Sequence, residues 1–184
     1  VGHASNFLGT VNDVATICAA ARNVGAVAVV DAVQSAPHLL IDVAAIGCDL
    51  LSASAYKFFG PHAAVMFVSR ALQARIPPLK VRPSADVMPT RLSPGTPSFE
   101  AQAGTLAAIE HIAGLGAGSA AAPLRQRLAA GYAAIAAHEA DLSRQFLAGL
   151  AGIRGLRLHG IANANRLAER VPTFTFTLDG CPAN

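Results

Sequence analysis

In the first third of the chain, a stretch with apolar residues at helical spacing is followed by short, continuous apolar runs. Val11 to Val24 places apolar side chains at three- and four-residue spacing, which predicts a helix with one buried face. Val27 to Val30 is a run rich in β-branched residues and is predicted to be a buried strand, and Leu50 to Ser54 is predicted to be the next one. We expect a brief helix from Asp42 to Ile46 and the end of a strand over Val1 to Ser5. This order predicts an α/β protein with a mostly parallel sheet.

One strand of this sheet is expected to run antiparallel to its neighbour. Ala63 to Val68 has the composition of a strand, and only eight residues, 55–62, separate it from the strand before it. A parallel crossover needs a dozen or more residues. The short connection therefore predicts an antiparallel pairing and a tight turn between the two strands.

The second half of the chain begins with a proline-rich connection. Five prolines between Ile76 and Pro94 predict an extended, irregular segment, and Phe99 to Leu115 is predicted to be a helix. A long alanine-rich helix is expected over residues 121–150, followed by strands from Leu156 to His159 and from Thr173 to Leu178. Apolar residues at helical spacing predict a buried stripe on the long helix: Leu124, Leu128, Ile135, Leu142, Phe146 and Leu150.

Composition and charge exclude several classes of function. The 184 residues are 53% hydrophobic and carry a formal net charge of +3 without a basic, aromatic-rich stretch, so no nucleic-acid binding is expected. Cys18, Cys48 and Cys181 are far apart and form no metal-ligand spacing, which predicts neither a disulfide framework nor a zinc site. No apolar run reaches the roughly eighteen residues that cross a bilayer. We expect a cytoplasmic protein that binds no membrane and no metal.

Polar side chains directly follow three predicted strands. Asn6, Asp31 and Lys57 stand at these positions. Ligands of open α/β sheets bind beyond the carboxyl ends of the strands, so an amide, a carboxylate and a lysine are expected to meet at one edge. Lys57 is one of only two lysines in a chain with twelve arginines, which favours a chemical role for it. Lys80, the second lysine, is expected to be a solvated loop residue.

Two interpretations of Lys57 and Asp31 follow from these residues. A lysine amine is a nucleophile only when neutral, and Tyr56, Phe58 and Phe59 are expected to supply an apolar setting that favours the neutral form. A lysine that forms a Schiff base, with a carboxylate at a fixed distance, is the arrangement that pyridoxal 5'-phosphate (PLP) requires. The alternative is a buried Lys–Asp ion pair, which is weak evidence for stability.

Four motifs, in this order and spacing, resemble those of the class V aminotransferase superfamily of fold-type I PLP enzymes. They are His-Ala-Ser-Asn-Phe-Leu-Gly-Thr (3–10), Val-Val-Asp-Ala-Val-Gln (29–34), Ser-Ala-Ser-Ala-Tyr-Lys-Phe-Phe-Gly-Pro (52–61) and Pro-Gly-Thr-Pro (94–97). Within the superfamily the resemblance is closest to the cysteine desulfurase-like subfamily. It covers nearly the whole chain.

The resemblance implies roles for the residues nearest the PLP ring. Lys57 matches the catalytic lysine that holds PLP as a Schiff base and moves protons at the substrate Cα. Asp31 matches the carboxylate that pairs with the pyridine nitrogen. Gln34 matches the side chain that donates a hydrogen bond to the phenolic oxygen of PLP.

Three further residues match the outer contacts of the cofactor. Asn6 matches an amide near the phenolic oxygen and the substrate carboxylate, and Ser54 matches a phosphate ligand. Thr96 matches a threonine that reaches the phosphate of the neighbouring subunit, which implies a homodimer. Tyr56 stands where the family commonly has histidine, and we assign it no acid–base role.

The resemblance also implies a domain layout. It implies a three-layer PLP-dependent transferase-like large domain and the start of a small α/β C-terminal domain. Residues 1–120 would belong to the large PLP-binding domain, 121–150 would form a long connecting helix, and 151–184 would begin the small domain. The chain begins inside a strand motif without an initiator methionine and ends soon after a strand, so we interpret it as an internal fragment.

The implied activity is that of a PLP-dependent enzyme acting on an amino acid through Lys57. A cysteine desulfurase-like reaction, C–S bond cleavage with sulfur transfer, is the first hypothesis. A class V aminotransferase or an epimerase remains open, because the thiol and the carboxylate-binding arginine of the family match no position in this chain. A non-catalytic dimerisation module is the alternative from a different class.

Overall fold

The computed structural model describes residues 1–77, 79–93 and 95–182. Pro94 of the Pro-Gly-Thr-Pro motif and the last two residues of the predicted small domain lie outside these ranges. The strands are β1 (Val29–Asp31), β2 (Leu50–Ser54), β3 (Ala64–Val68), β4 (Leu156–His159) and β5 (Thr175–Leu178). The α-helices are α1 (Val14–Asn23), α2 (Val43–Ile46), α3 (Arg70–Arg75), α4 (Phe99–Gly114) and α5 (Leu124–Leu150). Three 3₁₀ turns cover Ala55–Phe58, Thr90–Leu92 and Ala164–Glu169.

The first three strands form a mixed sheet in the order β1-β2-β3. β1 pairs with β2 in parallel, with Asp31 opposite Ser52. β3 pairs with β2 in the antiparallel sense, which confirms the prediction from the short connection. The N-terminal residues extend the sheet beyond β1, because a parallel bridge joins Gly2 to Asp31 and the His3 N–H donates to the Asp31 carbonyl at 2.8 Å.

Helices cover one face of β1 and β2, whereas β3 is exposed along most of its length. Val30 and Leu51 face α1 and α2, and Ala53 on the same face contacts a cluster supplied by α4 and α5. The opposite face is open within the described residues, since Val29 and Met66 are 47% and 59% exposed there. The α/β class and the mixed sheet are therefore observed, whereas a third layer on the open face stays a prediction.

Short polar side chains begin several of these helices. The Asp13 carboxylate accepts a hydrogen bond from the Thr16 N–H at the start of α1, and Ser98 caps α4 in the same way. Asp42 caps α2, which ends at Gly47 in the left-handed region with φ +68°. These elements lie within three residues of their predicted bounds. α3, which follows a Ser69 cap, is a helix that the sequence pattern did not predict.

The long helix α5 packs through only part of its predicted stripe. Leu128 and Ile135, with Tyr132, pack against the core cluster that contains Ala53 and Ile112. Leu142 and Phe146 are 49% and 41% exposed, so the prediction that they are buried is wrong for this chain. They line an open groove of about 810 Å³ together with Phe174 and Ile153.

The C-terminal strands form a separate antiparallel pair that contacts the N-terminal loop. His159 lies opposite Thr175 in this pair. The segment before β5 is joined to residues 9–11 because the Val171 N–H donates to the Gly9 carbonyl at 2.8 Å. The Val11 N–H donates to the Glu169 carbonyl at 2.9 Å. In the part of the chain that the structure describes, no helix is long and apolar enough to cross a membrane.

Candidate active site

Lys57 lies in the 3₁₀ turn that directly follows β2. The Ala55 N–H donates to the Ala63 carbonyl at 2.7 Å, and the Gly60 N–H donates to the Ala55 carbonyl at 2.8 Å, so the turn is closed at both ends. A Cβ on Gly60 would come within 2.9 Å of the Ala55 carbonyl oxygen, which explains why this position has no side chain. Packing against the sheet therefore fixes the backbone that carries the lysine.

The Lys57 side chain is exposed, which corrects the expectation of an apolar setting. Phe58 is buried in the core beneath the turn, whereas Tyr56 is 48% exposed beside the lysine. The Lys57 Nζ lies 5.8 Å from the centroid of the Tyr56 ring. The flanking aromatic residues alternate around a tight turn, so Phe58 faces the core and cannot also desolvate the amine.

Asp31 ends β1 at the same edge of the sheet. Its Oδ1 accepts a hydrogen bond from the Val33 N–H at 2.9 Å, while the side chain is exposed on the open face. Asp31 pairs with Ser52, two residues before Ser54 and five before Lys57. No salt bridge joins Asp31 and Lys57 within the described ranges, so the buried ion pair considered above is not observed.

The loop that carries Asn6 lies next to β1 on the other side. The Ser5 hydroxyl accepts hydrogen bonds from the Phe7 and Leu8 N–H groups at 3.2 and 3.0 Å, and Asn6 is exposed between them. Gly9 closes the loop at φ +75°, where a Cβ would lie 2.5 Å from the Thr173 carbonyl oxygen. The structure thus places Asn6, Asp31 and the lysine turn in sequence along one edge.

Gln34 connects this edge to the C-terminal part of the chain. Its Nε2 donates a hydrogen bond to the Thr173 hydroxyl at 3.0 Å. Sequence reasoning missed Thr173, because the two residues are 139 positions apart and neither position is unusual in its own segment.

The side chains of Ser54 and Thr96 make no hydrogen bond to the other predicted residues within the described ranges. Ser54 is half-buried at the end of β2 and its side chain makes no hydrogen bond to the turn that follows. Thr96 is exposed in the loop before α4, and no hydrogen bond recorded for residues 1–77, 79–93 and 95–182 links it to another predicted ligand. The structure therefore places five of the six predicted residues at or next to the same strand ends, and no hydrogen bond among the described residues ties Thr96 to them.

Two histidine rings pack against the aromatic residues next to Lys57, and Lys80 is less solvated than expected. The His62 ring stacks on Tyr56 with centroids 5.2 Å apart and planes at 21°. The His111 ring packs edge-on against Phe59 at 5.1 Å. Lys80, expected to be solvated, has a side chain only 16% exposed and bonds to the Ser84 carbonyl and to Asp86.

Burial shifts the pKa of several groups in the described part of the chain. It lowers the pKa of His3, whose Nδ1 is buried and has no hydrogen-bond partner among the described residues. It also lowers the pKa of Arg170 and raises the pKa of the Cys18 and Cys48 thiols. Both cysteines lie in the core under α1, so neither is accessible as a thiolate nucleophile.

Five cavities of the described chain have no predicted cofactor ligand in their linings. A cavity of about 390 Å³ between α5 and the 164–169 turn is lined by His38, Glu139 and Arg170, and the other cavities are also lined by residues outside the predicted set. No cluster of three or more metal-ligating side chains occurs among residues 1–77, 79–93 and 95–182. The candidate site is therefore an open edge of the sheet with a convergent set of polar groups.

Comparison with known protein families identifies the family of this chain. The profile described as "Aminotransferase class-V" matches residues 1–183. The chain belongs to the class V aminotransferase family. Its membership and the cysteine desulfurase relatives confirm the resemblance inferred from the four motifs.

Curated relatives of this family member carry two kinds of name. A "Probable cysteine desulfurase 2" of Mycobacterium leprae is 33% identical and aligns with 99% of the chain and 42% of its own length. An "Aminotransferase-like protein FGM3" of Gibberella zeae is 32% identical over 97% of the chain, again with 42% of its own length covered. The chain thus spans about two-fifths of the length of these relatives.

A solved structure agrees with the fold. The apo cysteine desulfurase of Thermococcus onnurineus NA1 superimposes with a TM-score of 0.79, at 24% identity, over 98% of the chain and 44% of that structure. At this identity the likeness establishes the fold alone.

Proposed function

We propose that this class V aminotransferase family member forms the PLP-binding core of an enzyme that acts on an amino acid through Lys57, with a cysteine desulfurase-like activity. The observation that carries the proposal is the placement of Lys57 on a closed turn one strand away from Asp31, without an ion pair between them. PLP, when bound, supplies an electron sink for the charge that develops at the substrate Cα.

The side chains at the sheet edge fit the polar groups of PLP. Asp31 keeps one carboxylate oxygen free of the Val33 bond, and that oxygen would accept the hydrogen of a protonated pyridine nitrogen. Gln34 has a second amide hydrogen beyond the one given to Thr173, and it would face the phenolic oxygen. The Ser54 hydroxyl makes no hydrogen bond to the turn that follows and would be available to the phosphate.

Two residues would handle the reacting end of the site. Lys57 would hold PLP covalently and, once displaced by the substrate amine, would take up or return a proton at the substrate Cα. Asn6, on the neighbouring loop, would orient the substrate carboxylate through its side-chain amide. Both positions are exposed, so a substrate can reach them from the open face of the sheet.

Thr96 and the predicted domain layout belong to the same proposal. Thr96 is exposed in the loop before α4, as a residue that serves the site of a second subunit would be. We therefore propose a homodimer in which it contacts the partner's PLP phosphate. The division at residues 120 and 150 and a cytoplasmic location stay predictions.

A spectroscopic experiment tests the role of Lys57. Purified protein incubated with PLP should develop a visible absorbance band, and Lys57→Ala should abolish it. Lys80→Ala is the matched control, because it removes the other lysine from a site outside the sheet edge. The proposal fails if the wild type forms no band or if Lys57→Ala retains it.

Product analysis then separates the two candidate reactions. With cysteine as substrate, a desulfurase forms alanine and passes the sulfur on as a persulfide, from which an added thiol reductant such as dithiothreitol releases sulfide. An aminotransferase converts its amino-acid substrate to a 2-oxo acid and transfers the amino group to a second 2-oxo acid. The aminotransferase-like relative makes this second activity a specific alternative. Exclusive formation of 2-oxo acid products would replace the desulfurase assignment with the alternative.

A further inference from the structure

The hydrogen bond between Gln34 and Thr173 links the candidate site to the segment before β5. It joins residues 139 positions apart and is partly buried. Gln34 lies three residues after Asp31, on the loop at the carboxyl end of β1. Thr173 therefore contacts a predicted cofactor ligand although it lies in the segment that leads into β5.

Thr173 is itself held by several bonds from a buried arginine and its neighbours. The Arg170 Nη2 donates to the Thr173 carbonyl at 2.5 Å, and the Thr173 N–H donates to the Val171 carbonyl at 2.7 Å. Arg170 is only 6% exposed, and its guanidinium lies 3.9 Å from the Phe174 ring centroid. The Thr173 backbone is thus anchored from two sides.

The same segment is tied to the loop that carries Asn6. The Val171 N–H donates to the Gly9 carbonyl at 2.8 Å, and the Thr175 hydroxyl donates to the Phe7 carbonyl. Residues 171–175 therefore contact both the Gln34 loop and the Asn6 loop. Neither loop is otherwise joined to the other by a side-chain hydrogen bond recorded in the described ranges.

We propose that Thr173 is a positioning residue that holds the Gln34 side chain in place for the cofactor before the cofactor binds. This inference rests on the proposed function. Ordering a glutamine side chain costs conformational entropy. If the hydrogen bond to Thr173 already orders Gln34 in the free protein, this cost arises during folding and no longer weakens cofactor binding. Arg170 acts one step further away, by holding the Thr173 backbone.

The test compares two substitutions at the same position. Thr173→Val removes the hydroxyl and keeps the shape, whereas Thr173→Ser keeps the hydroxyl. The dissociation constant for PLP should rise roughly 3- to 10-fold in Thr173→Val, the effect of one hydrogen bond, and return towards wild type in Thr173→Ser. Thr177→Val is the control, because this threonine lies on β5 and, among the described residues, its hydroxyl bonds to the half-buried His159 ring and to no predicted cofactor ligand.

A second readout follows the hydrogen bond without the cofactor. In the protein free of PLP, the side-chain amide protons of Gln34, identified by their loss in Gln34→Glu, should exchange with solvent faster in Thr173→Val than in wild type or Thr173→Ser. Equal exchange rates, or an unchanged PLP affinity in Thr173→Val, would overturn the positioning role while the Lys57-dependent band stands. A wild type that binds no PLP would overturn both proposals.

Discussion

Gly131 on α5 offers a strict test of how α4 and α5 pack behind the lysine turn. A Cβ at this position would lie 3.0 Å from the Ile112 carbonyl carbon and closer still to its oxygen, so the helices would have to separate by about 1 Å. Overpacking of this kind costs about 1–3 kcal/mol, or more when backbone is displaced. Alanine regains about 1 kcal/mol of helix propensity over glycine. We expect Gly131→Ala to lower the free energy of unfolding by about 2 kcal/mol.

Gly149 on the same helix is the matched control. No atom outside its own helix lies within 4 Å of a Cβ built there. Gly149→Ala should therefore show only the higher helix propensity of alanine and raise the free energy of unfolding by about 0.5–1 kcal/mol. Urea unfolding of both variants, followed by circular dichroism, measures whether each substitution lowers or raises the free energy of unfolding. If both substitutions stabilise the protein, the close approach of α5 to Ile112 is wrong.

Three further predictions use the same unfolding assay. Gly9→Ala should destabilise by about 1–3 kcal/mol more than Gly25→Ala: both glycines have positive φ, but only at position 9 would a Cβ meet backbone within 3 Å. Equal losses would contradict the packing of the Asn6 loop. Tyr132→Phe should cost about 1 kcal/mol, because the hydroxyl donates to the Ala36 carbonyl at 2.7 Å, and an unchanged urea midpoint would argue against this bond. Burial lowers the pKa of His3 from 6.5, so the unfolded chain binds its proton more readily and stability should fall as the pH drops below 6.5. His3→Gln should remove part of that slope, and parallel pH profiles would refute it.

The local elements and the order of the site residues were predictable because they depend on short-range rules. β2 was predicted with its observed bounds, Leu50 to Ser54. The antiparallel sense of β3 followed from the eight-residue connection alone. Asn6, Asp31 and Lys57 lie at one sheet edge because strand ends in such sheets must converge there.

The features that the sequence could not predict depend on tertiary contacts between segments that are distant in the chain. Periodicity identified Leu142 and Phe146 as one face of α5, but it cannot say what covers that face, and both are exposed here. Lys57 was expected in an apolar setting from its neighbours, yet the turn directs Phe58 into the core and leaves the amine exposed. The six residues of α3 are too few to show a helical period. The Gln34–Thr173 bond has no sequence signal at a separation of 139 residues.

The central claim is that Lys57 holds PLP. Borohydride reduction of the PLP-loaded protein fixes the bond between cofactor and amine, and peptide mapping by mass spectrometry then identifies the labelled residue. We predict a single labelled peptide that contains Lys57. A label on Lys80 or on the terminal amine, or no label at all, would contradict the account.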